Sequence, residues 1–359
     1  MGKILVNRLY DKWVNQILQL RPKERITRVQ NMAWLIVGIY YSKSVHLSKI
    51  ANQIPGSALL PSATRRIDRF LENRAVRVRE WYEPVARDIV ARTDGRDIRL
   101  IVDGSKIGFG HQLLVVSLAY RRRAIPLAWT WVKGSRGHSS SRVQLALLRY
   151  VKGLLPPKSR VILVGDAEFG AVDILKQLDQ WHWNYVLRQK STHLVQQSDS
   201  FIWQAFGSLI DKSGQSLWFG KVRLTQLHAY QTCLLAHWAV GEKQPWLLAT
   251  NFSSLHQALC AYQRRMWIEE MFGDLKAHGF DIEQTHLRDF RKLSRLTLAV
   301  VLLYVSLVTF GAQIIKAGQR RFVDRSDRRD LSVFRIGWNM LQRRLVNFQS
   351  FSISLLPYF

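Results

Sequence analysis

The amino-acid sequence predicts an α/β protein whose mixed β-sheet is flanked by helices, with a helical basic N-terminal domain and a β-rich insertion. Three observations support this prediction. Residues 1 to about 90 show a helical pattern, whereas short apolar runs and helical stretches alternate from residue 98 onward. Between residues 189 and 245 the chain alternates in the manner of antiparallel strands.

Five short apolar runs, rich in β-branched and aromatic residues, predict the strands of the core. They are Ile98–Asp103, Leu113–Tyr120, Ala124–Val132, Val161–Asp166 and Trp183–Arg188. Helical stretches follow the third and fourth runs, so the order is β-β-β-α-β-α-β. A further strand is predicted at Trp246–Asn251, followed by one long helix from Leu255 to Ala277.

The same patterns divide the chain into four predicted regions. Residues 1–92 form the helical N-terminal domain, and 93–188 together with 246–316 form the core. Residues 189–245 form the β-rich insertion, and 317–359 form a basic C-terminal region.

A helix-turn-helix is predicted in the N-terminal domain, within Val45–Asn73. A Pro-Gly pair breaks the first helix, and Ser62 is placed to cap the second. Three arginines then recur along the second helix: Arg65, Arg66 and Arg69. Such a helix can dock against DNA, so residues 1–92 are predicted to bind DNA; the alternative is a solvated basic face.

Net charge is the strongest feature of the composition. The chain has 53 Lys+Arg against 26 Asp+Glu, a net charge of +27, which favours a polyanionic partner. Nucleic acid is the first expectation and an anionic membrane surface the second. Only Cys233 and Cys260 are present, so neither a disulfide scaffold nor a Cys-rich zinc site is expected. With no secretion signal at the N-terminus, a reducing cytoplasm is predicted.

One segment, Leu296–Ile315, is long and apolar enough to span a membrane. Polar residues such as Thr297, Ser306 and Gln313 dilute it, and no second span accompanies it. The segment is therefore predicted to be a buried core helix, and no membrane partner is expected.

Acidic residues end two of the predicted core strands: Asp103 ends the first and Asp166 the fourth. A carboxylate at the C-terminal end of a buried strand is held rigidly at the edge of the sheet. Divalent metals such as Mg²⁺ need oxygen ligands of this kind, and paired ions can assist in-line phosphoryl displacement. Taken alone, either Asp is more commonly a turn residue.

The predicted long helix presents four chemically distinct side chains at helical spacing: Tyr262, Arg265, Glu269 and Lys276. At about 100° per residue they fall within an arc of about 60°, whereas Glu270 points away. An acid between two cations suits a site that holds metal and phosphate together. The alternative is an Arg–Glu pair on a solvated face.

Two further residues have weaker indications. Glu168 follows Asp166 closely and is either an auxiliary metal ligand or, more commonly for such a residue, a solvent-facing acid. His138 lies in a polar loop and either contacts DNA or is an ordinary loop histidine.

The pattern Tyr262-x2-Arg265-x3-Glu269-x6-Lys276 resembles the Y-R-E-K signature of bacterial transposases of the insertion sequence four family. The order of acids, strands and insertion is also similar to that family, whose catalytic core is ribonuclease-H-like. The resemblance covers about residues 98 to 316. It implies that Asp103, Asp166 and Glu269 are the metal ligands, close enough together to share ions.

The resemblance also implies roles for the remaining residues of the pattern. Tyr262, Arg265 and Lys276 would bind phosphates at the transposon end, and Trp246 would stack on a flipped base. The alternative for Trp246 is ordinary core packing.

The implied reaction is cut-and-paste DNA transposition through a DNA hairpin. It uses Mg²⁺, for which Mn²⁺ can substitute, with two ions per site, and its partners are double-stranded transposon ends and target DNA. A homodimer and a bacterial cytoplasmic location at the nucleoid are also implied. Two alternatives stay open, a metal-dependent nuclease and a domesticated DNA-binding protein; a tyrosine recombinase is disfavoured because no H-x-x-R box is present.

Overall fold

The computed structural model describes residues 2–93, 97–108, 110–134, 139–198 and 200–358. The chain forms two compact units. The first comprises Met1–Arg92, Lys106–His111 and Met271–Phe359, and the second comprises Thr93–Ser105 and Gln112–Glu270. His138 lies outside the described residues.

The described residues form eleven α-helices. These are α1 (Gly2–Leu20), α2 (Ile26–Ser42), α3 (Leu47–Ala51), α4 (Leu60–Glu72), α5 (Val78–Ala91), α6 (Ser141–Leu154), α7 (Val172–Gln180), α8 (Leu255–Tyr262), α9 (Met266–Leu275), α10 (Phe290–Lys316) and α11 (Val333–Val346). The sequence prediction of an α/β protein with a helical N-terminal region is confirmed.

The described strands form one large mixed sheet in the order β3-β2-β1-β4-β5-β10-β9-β8-β6-β7. Their bounds are β1 (Ile98–Ile107), β2 (His111–Tyr120), β3 (Arg123–Lys133), β4 (Val161–Gly165), β5 (Asn184–Arg188), β6 (Leu194–Gln196), β7 (Gln204–Ala205), β8 (Ser216–Leu224), β9 (Tyr230–His237) and β10 (Trp246–Thr250). β1, β4 and β5 run parallel, and β10 pairs antiparallel with both β5 and β9.

The predicted insertion, residues 189–245, does not form a separate sheet. Its strands β6 to β9 extend the core sheet beyond β10 because β9 pairs with β10 over Cys233–His237. Alternating apolar residues predicted the strands there, but periodicity carries no information about which neighbour each strand joins.

A partly buried polar cluster ties α7 to the sheet in the second unit. The Asp179 carboxylate accepts hydrogen bonds from the Tyr230 hydroxyl, from Tyr185 Oη at 3.4 Å and from Asn251 Nδ2 at 2.9 Å. Tyr185 Oη also contacts Thr232 Oγ1 at 3.0 Å. We call these five residues the Asp179 cluster.

In the first unit, α10 is the central helix and packs against α2, α4, α5 and α11. It was predicted to belong to the core region 246–316, but its surroundings are the N-terminal helices and α11. It begins after Asp289, whose carboxylate accepts hydrogen bonds from the backbone N–H groups of Arg291 (2.8 Å) and Lys292 (2.9 Å). α10 is long and apolar enough to cross a membrane, yet 89% of its most apolar window is buried inside the protein, in agreement with the predicted core helix.

The C-terminal region was predicted only as basic, but it contains α11, which crosses α10 at two glycines. A Cβ on Gly311 would lie 1.9 Å from the carbonyl oxygen of Val333, and one on Gly337 would lie 1.9 Å from that of Leu307. Only glycine permits this approach of two helix backbones.

Three local predictions are corrected. β1 does not end at Asp103 but continues to Ile107, so Asp103 lies inside the strand. α4 begins at Leu60, with a proline in its first turn, and Ser62 lies inside the helix rather than capping it.

The third correction concerns the long helix predicted from Leu255 to Ala277. It is interrupted by a 3₁₀ turn at Gln263–Arg265, where Arg264 Nη1 donates to the Cys260 carbonyl at 2.6 Å. α9 then ends at Leu275, before Lys276. The four signature residues therefore do not share one regular helix, and the arc of about 60° calculated for a continuous helix does not apply.

Candidate active site

Asp103 and Asp166 lie side by side at one edge of the second unit. The parallel register of β1 with β4 runs to the pair Val102 and Gly165; Asp103 is the next residue of β1, and Asp166 is the first residue after β4. Neighbouring strands are about 4.8 Å apart, and residues at one level of a parallel pair point to the same face. Register thus brings together two carboxylates that are far apart in sequence.

Arg265 connects Asp103 with the third acid. Asp103 is 1% exposed, and its Oδ2 accepts from Arg265 Nη1 at 3.2 Å. The other guanidinium nitrogen, Nη2, pairs with the half-buried Glu269. Burial alone would lower the pKa of Arg265, but the neighbouring Tyr262, Asp103 and Glu269 outweigh that effect and raise the pKa. One buried cation therefore balances two of the predicted metal ligands.

Tyr262 lies beside these groups. It is 2% exposed, and its hydroxyl has no hydrogen-bond partner among the described residues. Burial raises the pKa of Tyr262 to about 12; Arg265 and Arg188 oppose this rise, and Asp166 and Asp103 add to it. The hydroxyl is therefore protonated at neutral pH and can donate a hydrogen bond to a ligand.

Trp246, the first residue of β10, packs edge-on against Tyr262 with ring centroids 5.0 Å apart. The Trp246 indole also contacts His237, with ring centroids 5.5 Å apart. The indole is half-buried, so part of its surface is open to solvent. Its position next to Tyr262 is compatible with base stacking and with packing alike.

We call Asp103, Asp166 and Glu269, together with Arg265 and Tyr262, the acidic site. Among the described residues, no three His, Cys, Asp or Glu side chains are grouped closely enough to hold one metal ion. Arg265 stands between two of the acids, so the carboxylates are not a preformed ligand cluster. The donor chemistry nevertheless fits Mg²⁺, because the acids offer hard oxygen ligands and the buried Tyr262 hydroxyl has unused hydrogen-bonding capacity.

Lys276, the fourth residue of the signature pattern, lies in the first unit, where its Nζ pairs with Glu283 Oε1 at 2.8 Å. The predicted DNA-contacting arginines also lie in the first unit, exposed on α4: Arg65, Arg66 and Arg69. α4 is also tied to α10 of the same unit, where Asp68 Oδ1 pairs with Lys292 Nζ at 2.8 Å. The phosphate and DNA roles of these four cations stay predictions.

Arg188 is a candidate site residue that sequence reasoning missed. The register of β4 with β5 pairs Gly165 with Leu187, so Asp166 and Arg188 are the next residues at the same edge. Arg188 Nη2 donates to the Pro245 carbonyl at 3.1 Å, and its charge influences Tyr262. Its position at the end of the fifth predicted strand, beside the strand that ends at Asp166, was the available clue.

Comparison with known proteins supports the predicted similarity to DDE transposases. Residues 130–306, just under half of the chain, match the family model described as a transposase DDE domain. The matched stretch includes Asp166 and Glu269 but not Asp103. No curated protein matches the sequence.

Among solved structures, the chain is similar to a piggyBac transposase in a cryo-EM structure of its synaptic complex with hairpin DNA. The two are 12% identical with a TM-score of 0.43, over 99% of this chain and 83% of that chain. A similarity of this size does not establish a common fold. The firmer finding is the segment from residue 130 to 306, which is similar to transposase DDE domains.

Proposed function

We propose that this protein is a DNA transposase of the insertion sequence four family, with a ribonuclease-H-like catalytic core and a DDE site. The observation that carries the proposal is the pairing of Arg265 with two of the three acids, Asp103 and Glu269. Asp166 directly follows Gly165, the last residue of β4 in register with β1, where Val102 is its partner and Asp103 comes next. The match of residues 130–306 to transposase DDE domains supports the same conclusion.

Asp103, Asp166 and Glu269 are proposed to hold divalent ions, Mg²⁺ or in its place Mn²⁺, with two ions in each site. Such ions would make the attacking oxygen more nucleophilic and stabilise the leaving oxygen during in-line phosphoryl displacement. Arg265 now balances the charge of Asp103 and Glu269, so metal binding requires its guanidinium to turn away from at least one carboxylate. A DNA phosphate is the natural new partner, since guanidinium groups bind phosphate oxygens bidentately.

Four side chains are proposed to bind the phosphates of the transposon end. Tyr262 donates its buried, protonated hydroxyl, and Arg265 and Arg188, whose charges both act on Tyr262, offer guanidinium groups. Lys276 contributes a further cation. Phosphates held in this way keep the scissile bond near the acids, and positioning is a large part of catalysis in phosphoryl transfer.

Trp246 is proposed to receive a flipped base beside the cut, as the family resemblance implies, with a DNA hairpin as the intermediate of excision. A half-buried indole fixed against Tyr262 is a suitable platform, because any base can stack on it. The exposed arginines of α4 are proposed to dock on DNA: Arg65, Arg66 and Arg69. Pairing of two element ends is proposed to require a homodimer, which acts on DNA in the bacterial cytoplasm.

The proposal is tested by incubating the protein with Mg²⁺ and DNA that carries both flanks of its own gene. We expect nicking at the element ends, hairpin-terminated fragments on denaturing gels, and joining of the ends to a target plasmid. Cleavage without joining would indicate a nuclease on the same fold. Binding without either reaction would indicate a DNA-binding protein derived from a transposase.

A further inference from the structure

A polar network surrounds Glu168, two residues after Asp166. Its carboxylate accepts hydrogen bonds from Gln112 Nε2 at 2.8 Å, from the backbone N–H of Ser139 at 3.0 Å and from the Ser139 hydroxyl. Glu168 is half-buried. It is therefore not the solvent-facing acid expected from the sequence.

Two fully buried amide side chains complete the network. Gln112 is 0% exposed and Gln144 is 1% exposed. Gln144 Nε2 donates to the Glu168 carbonyl at 3.0 Å and to Ser139 Oγ at 2.8 Å. Burying an amide is costly unless it is hydrogen-bonded, so these contacts fix Ser139 and Glu168 in place.

The network depends on the residue that follows Asp103. A Cβ on Gly104 would lie 2.1 Å from Gln112 Nε2 and 2.9 Å from Leu114 Cδ2. Gly104 thus leaves the space through which Gln112, on β2, reaches across β1 to Glu168. The same glycine donates its backbone N–H to Asp103 Oδ1 at 2.7 Å.

The network also reaches Asp166 directly. Asp166 Oδ1 accepts a hydrogen bond from the backbone N–H of Glu168 at 3.0 Å. The direction of the Asp166 carboxylate therefore depends on where the Glu168 backbone lies, and the Glu168 side chain anchors that backbone through Gln112 and Ser139. Loss of a group that orients a metal ligand typically lowers metal affinity or activity about 10- to 100-fold.

We infer that Glu168 is a positioning residue that orients Asp166 for metal binding, anchored by Gln112, Ser139 and Gln144. Three donors already point at its carboxylate, which leaves it little capacity to act as a metal ligand. This inference rests on the proposed metal-dependent function of the acidic site. Glu168 would then be a fourth acid of the acidic site that orients Asp166 and does not bind metal.

The test measures Mn²⁺ affinity of the full chain, both alone and bound to a DNA duplex, by electron paramagnetic resonance titration, with the Mn²⁺ held by the duplex alone subtracted. Glu168→Ala is expected to weaken Mn²⁺ binding about 10-fold or more, as loss of an orienting partner does. The matched control is Asp173→Ala, an exposed acid on α7, which is expected to bind Mn²⁺ as the wild type does.

Glu168→Gln distinguishes positioning from ligation. Its Oε1 can still accept from Ser139, and Gln112 can turn to offer its own Oε1, which has no hydrogen-bond partner among the described residues. Positioning would therefore survive, with affinity within about threefold of the wild type, because the hydrogen bonds are retained. Affinity as low as that of Glu168→Ala would identify the carboxylate as a ligand and overturn the inference.

The remaining outcomes are also decisive. If Asp166→Ala loses Mn²⁺ but Glu168→Ala keeps wild-type affinity, the inference is wrong and the proposed function stands. If the wild type binds no Mn²⁺, the proposed metal site itself fails. Should circular dichroism show that Glu168→Ala is unfolded, Ser139→Ala replaces it, with an expected loss of about threefold from removing one hydrogen bond.

Discussion

The acidic site and the Asp179 cluster are both polar clusters in the second unit, and each contains at least one tyrosine and one aspartate. In the Asp179 cluster the tyrosine hydroxyls and the Asn251 amide all have partners within 3.4 Å. In the acidic site the Tyr262 hydroxyl is buried with no hydrogen-bond partner among the described residues, and one guanidinium serves two acids.

This difference indicates that the Asp179 cluster serves stability and that the acidic site serves function. A buried hydroxyl without a hydrogen-bond partner lowers the free energy of unfolding by about 1–3 kcal/mol. Such a group is retained where it serves another purpose. A ligand that supplies the missing partner is the simplest explanation for Tyr262. A satisfied network such as the Asp179 cluster needs no ligand and serves to hold α7 on the sheet.

The largest effect is expected from removing any one acid of the acidic site. Asp103→Ala, Asp166→Ala and Glu269→Ala should each lower DNA cleavage and joining on the order of 10³-fold or more, because residues that act as a unit fail together. Each variant should still bind DNA, as measured by gel shift. Glu270→Ala is the matched control, since this adjacent acid pairs with Arg123 Nη1 at 3.1 Å outside the acidic site, and it should cut DNA normally.

Full cleavage by any of the three alanine variants would remove that residue from the acidic site. Equal loss in Glu270→Ala would show that the assay reports on the fold of α9 rather than on metal ligands.

The next largest effect is expected in the Asp179 cluster. Asp179→Ala leaves the Tyr230 and Tyr185 hydroxyls and the Asn251 amide short of an acceptor. We expect the free energy of unfolding, measured in urea, to fall by about 2–3 kcal/mol. The cleavage rate of the folded variant at low temperature should not change, and a specific loss of activity would mean that the cluster has a role in the reaction.

A matched pair of hydroxyl deletions sharpens the comparison. Tyr262→Phe should slow cleavage roughly 10-fold to 100-fold, the value of a hydrogen bond to a charged group, with no loss of stability. Tyr230→Phe should do the reverse, lowering stability by about 1 kcal/mol and leaving the rate unchanged. The two variants are compared by single-turnover cleavage and by urea unfolding. If both variants changed the cleavage rate and the stability in the same way, the two clusters would not differ in function.

The smallest expected effect concerns Arg188. Arg188→Gln should weaken DNA binding about fivefold and reduce the slope of log affinity against log salt by about one, as loss of one phosphate contact predicts. Arg160→Gln is the control, since that arginine is exposed and pairs with Asp97 at 3.2 Å. An unchanged salt slope for Arg188→Gln would exclude a phosphate contact there.

Local patterns in the sequence were sufficient to predict most elements. The helical stretch predicted after the third strand is α6, and the strand predicted from Val161 begins at that residue in the structure. Periodicity and strand propensity act over a few residues, so they carry this information directly. The strand-end position of Asp166 follows from the same kind of pattern.

What depends on distant partners could not be predicted in this way. β1 continues past Asp103 to Ile107 beside β2, although Asp-Gly commonly marks a turn. The positions of Arg188 and Gln112 near the acids could be recognised only from strand register and burial in the structure. Their neighbours there are tens of residues away in sequence. The 3₁₀ turn at Gln263–Arg265 coincides with the Arg264–Cys260 contact, and the apolar periodicity of the segment gives no sign of either.

The central claim, that Asp103, Asp166 and Glu269 bind the same metal ions, is tested most directly by replacing Mg²⁺ with Fe²⁺ in the DNA-bound protein. Ascorbate and peroxide then generate hydroxyl radicals at the bound iron, which cut the polypeptide nearby. We predict backbone cuts near residues 103, 166 and 269 that excess Mg²⁺ suppresses. Cuts at only one of these positions, or only elsewhere in the chain, would contradict a shared metal site.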